Sequence, residues 1–242
     1  METTTRIPVP GTYNFRDVGG LRGRGGEVRR GVLYRSDGLH RLGADGRAML
    51  GELGVRTVID LRDDAEAEAM PDDLVGLDVE LRRLPVFEGS GASHNGEGVS
   101  LESLYERMVT RHAGMLGRAV QHIAASDGGT VMHCTAGKDR TGVVVALSLL
   151  SVGVDRDTVV DDYARTEPHL AGEWLEAMVE MVGRYGVPDS PALRTLMGGS
   201  PPEALDSVLD LVEREHGSAN DFLRVAGVST SELKTLERRL LG

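Results

Sequence analysis

A cysteine and an arginine six positions apart, Cys134 and Arg140, stand in the stretch HCTAGKDRTG. A short apolar run, Thr130 to His133, precedes it, and a longer one, Thr141 to Val152, follows. Read as strand, tight loop and helix, these residues bring the N–H groups of Thr135, Ala136, Gly137, Lys138, Asp139 and Arg140 around one point. The positive end of the helix lies behind them. Such a nest accepts a tetrahedral oxyanion. The same field favours the thiolate of Cys134, the nucleophilic form. Arg140 adds a planar fork that grips two equatorial oxygens as a phosphoryl group flattens in the transition state. The chemistry that fits is attack of sulfur on phosphorus. Gly137 lets the loop turn tightly and approach the oxygens without a Cβ. Thr141 is placed to donate its hydroxyl to the departing sulfur or to cap the helix, and His133 to order the loop through a ring-to-backbone hydrogen bond. Singly, these residue types are most often a buried small hydrophobe, a cap and a solvent-facing charge. Their joint spacing between strand and helix is what points to catalysis.

Other loop chemistries fit less well. A nucleotide-binding P-loop needs Gly-Lys followed by Ser or Thr and a Gly five residues before the Lys, whereas Lys138 is followed by Asp139 and position 133 is His133. Cys134 is the chain's one cysteine, which excludes an internal disulfide and a multi-thiolate metal site. A metal site would need more ligands than this neighbourhood shows. Sulfur transfer of rhodanese type also uses a loop cysteine, but the gap of five residues before Arg140-Thr141 suits phosphate better. A phosphate-binding module without turnover is the non-enzymatic alternative, and an intact thiol speaks against it.

The sequence resembles the cysteine-dependent protein tyrosine phosphatase superfamily, whose signature is His-Cys, five residues, Arg, then Ser or Thr. HCTAGKDRTG is similar to its atypical bacterial branch of tyrosine and lipid phosphatases. The likeness extends to NFRDVGG (Asn14 to Gly20), LYRSDGL (Leu33 to Leu39), VIDLRDDAE (Val58 to Glu66), DDYARTE (Asp161 to Glu167) and the C-terminal VAGVSTSELKTLERRLL. The resemblance implies a tyrosine-phosphatase-like α/β fold, a phosphocysteine intermediate, no metal or organic cofactor, and substrates among phosphotyrosine, phosphoserine or phosphothreonine, and phosphoinositides. A small metabolite ester is the other substrate class. Lys138 matches a loop lysine linked in that branch to the extra charge of inositol phosphates. The Trp-Pro-Asp loop of better-known relatives has no counterpart, since the one tryptophan, Trp174, lies downstream. Asp139, matching the branch's loop aspartate, is therefore the first candidate for general acid, because a phosphate dianion beside it favours its protonated form. Asp60, at a strand end where open α/β sheets face their ligands, is the second. Arg62 and Glu66 are read as bracing that edge.

These residues need a scaffold to hold them. Apolar, β-prone runs predict strands at Gly31 to Ser36, Val55 to Arg62, Val79 to Val86 and Thr130 to His133. Helical spacing predicts helices over Arg41 to Gly54, Leu101 to Ser126, Thr141 to Val152, Arg156 to Arg165, Leu170 to Tyr185, Glu203 to His216 and Thr230 to Leu241. Ser229 with Glu232 gives the last a capping box. The Gly- and Ser-rich stretch Glu88 to Gly98 reads as a loop, and Gly186 to Pro191 and Gly198 to Pro202 as joints. The expected fold is one α/β domain over residues 1–242, a central mixed sheet flanked by helices with a helical C-terminal half. Residues 167–202 form either a helical lid over the site or an ordinary packed helix pair.

A hydrophobic fraction of 40% makes a folded core affordable and wholesale disorder untenable. The formal charge of −11 argues against a nucleic-acid surface, which draws on excess Lys and Arg. An anionic substrate then requires positive potential concentrated at the site, with acidic residues elsewhere. No apolar run is long enough to span a membrane and no leader pattern opens the chain, so a cytoplasmic protein is expected, leaderless export aside. Oligomeric state is not readable.

Overall fold

The computed structural model describes residues 5–87 and 100–242. The loop expected over Glu88 to Gly98 lies outside the described residues.

Two runs of β-branched and apolar residues make the centre of the molecule. β5 (Val55–Asp60) and β7 (Gly129–His133) pair in parallel, with β4 (Leu33–Ser36) parallel on the far side of β7. β6 (Glu80–Arg83) runs parallel to β5, and the short β1 (Arg16–Asp17) closes the other edge antiparallel to β4. The order β1-β4-β7-β5-β6 makes a mixed sheet, and β2 (Arg22–Gly23) pairs with β3 (Gly26–Glu27) in a separate ribbon. Successive side chains on a strand point to opposite faces, which explains why the central strands are apolar on both. Tyr34, Val58 and Val131 pack with Phe15, Leu39 and Leu50 on one side. Leu33, Ile59 and Met132 join the larger core on the other.

α1 (Gly43–Glu52) lies against the first face, and α2 (Asp64–Ala69) follows β5. The second face is covered by helices from the rest of the chain. α5 (Asp139–Ser151) sits at its centre with Val143 to Leu149 all buried, which is why its sequence lacks a polar stripe. The predicted helix over Leu101 to Ser126 is two helices, α3 (Leu101–Arg111) and α4 (Ala113–Ala125). The chain turns at His112, at φ −117° and ψ 16°. Its N–H still bonds Met108 O while its carbonyl accepts from Met115 and Leu116. The break lets α3 pack on α10 (Pro202–His216) and α4 on α12 (Thr230–Leu241). α12 begins with the expected capping box of Ser229 and Glu232.

α6 (Arg156–Ala164) matches its prediction, whereas the helix expected over Leu170 to Tyr185 is shorter and is preceded by a short helix that was not predicted. α7 (Thr166–Leu170) and α8 (Glu173–Gly183) meet at Gly172, whose φ of +83° suits a residue without a Cβ. Between the two predicted joints lies α9 (Pro191–Gly198), opened by Pro191 and capped by Ser190 Oγ on the Leu193 N–H at 3.1 Å. α11 (Ala219–Val225) is a short helix that the sequence reading passed over. The fold is thus the expected α/β type, with a mixed sheet and a helical C-terminal half. Among the described residues no helix is long and apolar enough to cross a membrane.

Candidate active site

The carboxyl ends of β4, β7 and β5 converge on the loop from Cys134 to Lys138, as the strand order requires: β7 lies between the other two. The loop is fastened from behind. Thr135 O accepts from Gly38 N at 3.1 Å, and Lys138 O from Gly142 N at 2.8 Å. The Asn14 amide donates to Ala136 O at 3.0 Å and Gly137 O at 3.3 Å, and Arg35 Nη2 to Gly137 O at 2.8 Å. Gly137 sits at φ +64°, and a Cβ there would lie 2.1 Å from Ser36 O, so only glycine allows this approach to β4.

With the carbonyls held on the outer side, the N–H groups of Thr135 to Arg140 have no acceptor among the described residues. α5 starts here without a side-chain cap. Its orphan donors and positive dipole end form the cradle expected for an anion.

Cys134 is 1% exposed and lies on the floor of a cavity of about 200 Å³. Thr135, Ala136, Asp139 and Arg140 line the same cavity. Arg140 is clamped by Glu66 in a fork-to-fork pair, with Nη2 2.8 Å from Oε1 and Nη1 on Oε2. Burial opposes the charge on Arg140, but the hydrogen bonds to Glu66 and the charge of Cys134 more than offset this and raise its basicity. Burial likewise pushes the Glu66 carboxyl up, and Arg140 and the Thr135 hydroxyl (2.6 Å) overcome it, bringing the pKa down to about 2. Glu66 also closes a capping box with Asp63 at the start of α2. That D-x-x-E spacing was the signal in the sequence for a residue now seen to orient the arginine.

Asp139 is 24% exposed, and its Oδ1 accepts from the Tyr105 hydroxyl at 2.6 Å. Tyr105 is in turn 2.7 Å from the Tyr163 hydroxyl. Thr141 Oγ1 is buried, with no hydrogen-bond partner among the described residues. His133 Nδ1 lies 3.2 Å from Cys134 O, the expected ring-to-backbone contact. Its Nε2 is 3.2 Å from Asp72. Burial disfavours the imidazolium, and Asp72 outweighs that to raise the pKa.

Two expectations are corrected. Asp60 does not face the cavity: it is buried, with both carboxylate oxygens bonded to Arg62 at 2.9 Å. Lys138 does not face it either. Its ammonium is wholly buried and donates to main-chain carbonyls at the end of α9. Asp60, Asp72 and His133 bring possible metal-ligand atoms within 4.8 Å of one another. Arg62 bonds both carboxylates, at 2.9 and 2.8 Å, and already supplies the positive charge a cation would bring.

The sequence reading missed the supports behind the loop. Asn14 also takes Arg16, and Arg16 and Arg35 share Asp162 at 3.0 and 2.7 Å, all of them buried. Nor did it single out the residues that wall the cavity. α8 contributes Trp174, Met178, Met181 and Val182, α9 contributes Leu196 and Met197, and Met70, Phe87, Leu104 and Met108 complete them. Residues of α8 and α9, within the segment 167–202, thus share a cavity with Cys134.

A sequence model of the tyrosine phosphatase family matches residues 7–242. The chain is 33% identical to the triple specificity protein phosphatase PtpB of Mycobacterium tuberculosis, over 97% of this chain and 98% of that one. It is 30% identical to a tyrosine-protein phosphatase of Nostoc commune, over 86% and 74% of the two chains. Among solved structures it is similar to TpbA of P. aeruginosa, with a TM-score of 0.41 and 19% identity over 81% of this chain and 96% of that one.

Proposed function

We propose, because this chain belongs to the tyrosine phosphatase family, that it hydrolyses phosphotyrosine through a phosphocysteine formed on Cys134. The observation that carries this reading is the set of amides of Thr135 to Arg140, without acceptors among the described residues, around a cysteine and a clamped arginine. In the first step the Cys134 thiolate attacks phosphorus. The S–P bond forms as the bond to the phenolic oxygen breaks, and the Asp139 carboxyl delivers a proton to that oxygen. The amides and Arg140 hold the three equatorial oxygens throughout. In the second step water attacks phosphorus and gives its proton to the Asp139 carboxylate. The P–S bond breaks, the Thr141 hydroxyl donates to the departing sulfur, and inorganic phosphate leaves. Neither step draws on a metal.

The name of the mycobacterial relative, a triple specificity protein phosphatase, supports a range wider than phosphotyrosine. Phosphoserine, phosphothreonine and phosphoinositides are the further substrates to assay. The lining of Trp174, Phe87 and five methionines favours the aromatic ester, since thioethers and rings contact an aryl group well.

The test is hydrolysis of p-nitrophenyl phosphate and a phosphotyrosine peptide in the presence of a chelator. Cys134→Ser is expected to abolish turnover while keeping phosphate affinity, and Arg140→Ala to lower kcat by about 100-fold or more. Rapid quenching should trap phosphate on Cys134. Undiminished turnover in Cys134→Ser would remove the mechanism.

A further inference from the structure

Lys138 stands in the middle of the phosphate loop, yet its side chain turns away from the cavity. Its Nζ lies 2.8 Å from Leu196 O, 2.7 Å from Gly199 O and 3.4 Å from Thr195 O, and 3.4 Å from Asp139 Oδ1. The side chain is 0% exposed. These carbonyls belong to the last turn of α9 and the residue after it, where helix carbonyls run short of intrahelical donors and a positive charge is favoured; Thr195 O also accepts from Gly199 N at 2.9 Å. Two residues of that turn, Leu196 and Met197, form a wall of the cavity above Cys134.

We infer that Lys138 is a positioning residue, a latch joining the phosphate loop to α9, and that the site selects its substrate by apolar contact with the ester group rather than by reading a second negative charge. This rests on the catalytic role proposed above for the cavity. Three features support it. Arg140 is the one Lys or Arg side chain among the described residues lining the cavity, and the proposed reaction already commits it to the transferring phosphoryl group. Drawing Lys138 out to meet a second phosphate would leave buried carbonyls without a donor, which a low-dielectric interior penalises. The end of α9 is also stitched down beside the latch. Ser200 Oγ accepts from Glu167 N at 2.9 Å, and Ser200 N donates to Glu167 Oε2 at 3.0 Å, so the anchor point is rigid.

Two measurements test it. The first compares kcat and KM for phenyl phosphate, 2-naphthyl phosphate and a short-chain phosphatidylinositol bisphosphate in the wild type and in Lys138→Met. With the latch gone, the naphthyl-to-phenyl ratio of kcat/KM falls about tenfold, mainly through KM, and hydrogen exchange in α9 accelerates. The inositide-to-phenyl ratio does not fall. A selective loss of inositide hydrolysis, with the naphthyl preference and α9 exchange unchanged, overturns the inference.

The second uses the wild-type chain and needs no folded variant. The sequence holds one other lysine, Lys234, which is exposed. Reductive methylation is expected to label Lys234 and leave Lys138 untouched, with or without inositol bisphosphate. Labelling of Lys138 at the rate of Lys234, or protection that appears only when inositol bisphosphate is added, overturns the latch. If the wild type hydrolyses no aryl phosphate, the proposed function fails, and methylation still decides the fate of Lys138.

Discussion

At the scale of single residues, the pair proposed to react was legible because the proposed chemistry constrains it locally. Cys134 and Arg140 lie within one loop, so their spacing alone placed them in one cavity. Glu66 was not legible as a partner, since it reaches Arg140 from a helix 74 positions away in sequence. Its importance follows from geometry. An arginine fork held on both oxygens of a carboxylate is aimed before substrate arrives, and Glu66→Gln should lower kcat/KM by between about tenfold and 100-fold. The same residue makes a pH-dependent contribution to stability. Its folded pKa of about 2 lies below its ordinary value of 4.5, so the contribution is complete above pH 4.5 and is lost as pH falls from 4.5 towards 2. Denaturant midpoints of the wild type and Glu66→Gln should therefore differ at pH 7 and converge as pH is lowered through that window. A difference independent of pH would show that Glu66 acts through packing alone. Lys138 carries the opposite lesson: its position in the motif suggested a ligand, and only the tertiary fold shows the carbonyls that claim it.

At the scale of elements, the strands and long helices followed from periodicity, because burial on one or two faces writes itself into the order of apolar residues. Breaks inside helices did not. His112 interrupts an apolar stripe that continues on both sides, and the turn is decided by what α3 and α4 pack against. The phosphate loop depends on elements far from it. Asn14 and Arg35 hold carbonyls of Ala136 and Gly137 that face away from the cradle. Asn14→Ala should leave buried acceptors unsatisfied, costing about 1–3 kcal/mol in unfolding free energy. It should also weaken phosphate binding, measured by inhibition of p-nitrophenyl phosphate hydrolysis. Gly137→Ala meets a backbone oxygen at 2.1 Å as well as a positive φ. It is expected to cost about 3 kcal/mol or more, readable as a lowered thermal midpoint, and to abolish turnover even in molecules that fold.

At the scale of the whole molecule, a chain of charge −11 can offer a site for an anion because the positive potential there comes mostly from oriented amides and a helix end, with one guanidinium, and not from surplus basic side chains. The N-terminal segment, β4 and α6 meet in the buried set Arg16, Arg35 and Asp162. Burial and neighbouring Arg35 pull Arg16 down to about 10, while Asp162 works to keep it charged. Asp162→Ala would strand two buried guanidinium groups, and equilibrium unfolding should show a loss of about 3–5 kcal/mol. A smaller loss with an altered denaturant slope would mean that the native state had rearranged around the gap. None of these long-range ties was visible in the sequence, since nothing local marks two arginines and an aspartate separated by more than 120 positions as partners. Their joint effect reaches the ligand. Three distant parts of the chain immobilise the backbone of one short turn, so an incoming tetrahedral ion finds its donors already frozen in place. Titration calorimetry with phosphate on the wild type should accordingly register a small entropic penalty. Loosening the turn with Asn14→Ala should enlarge that penalty more than it reduces the heat released.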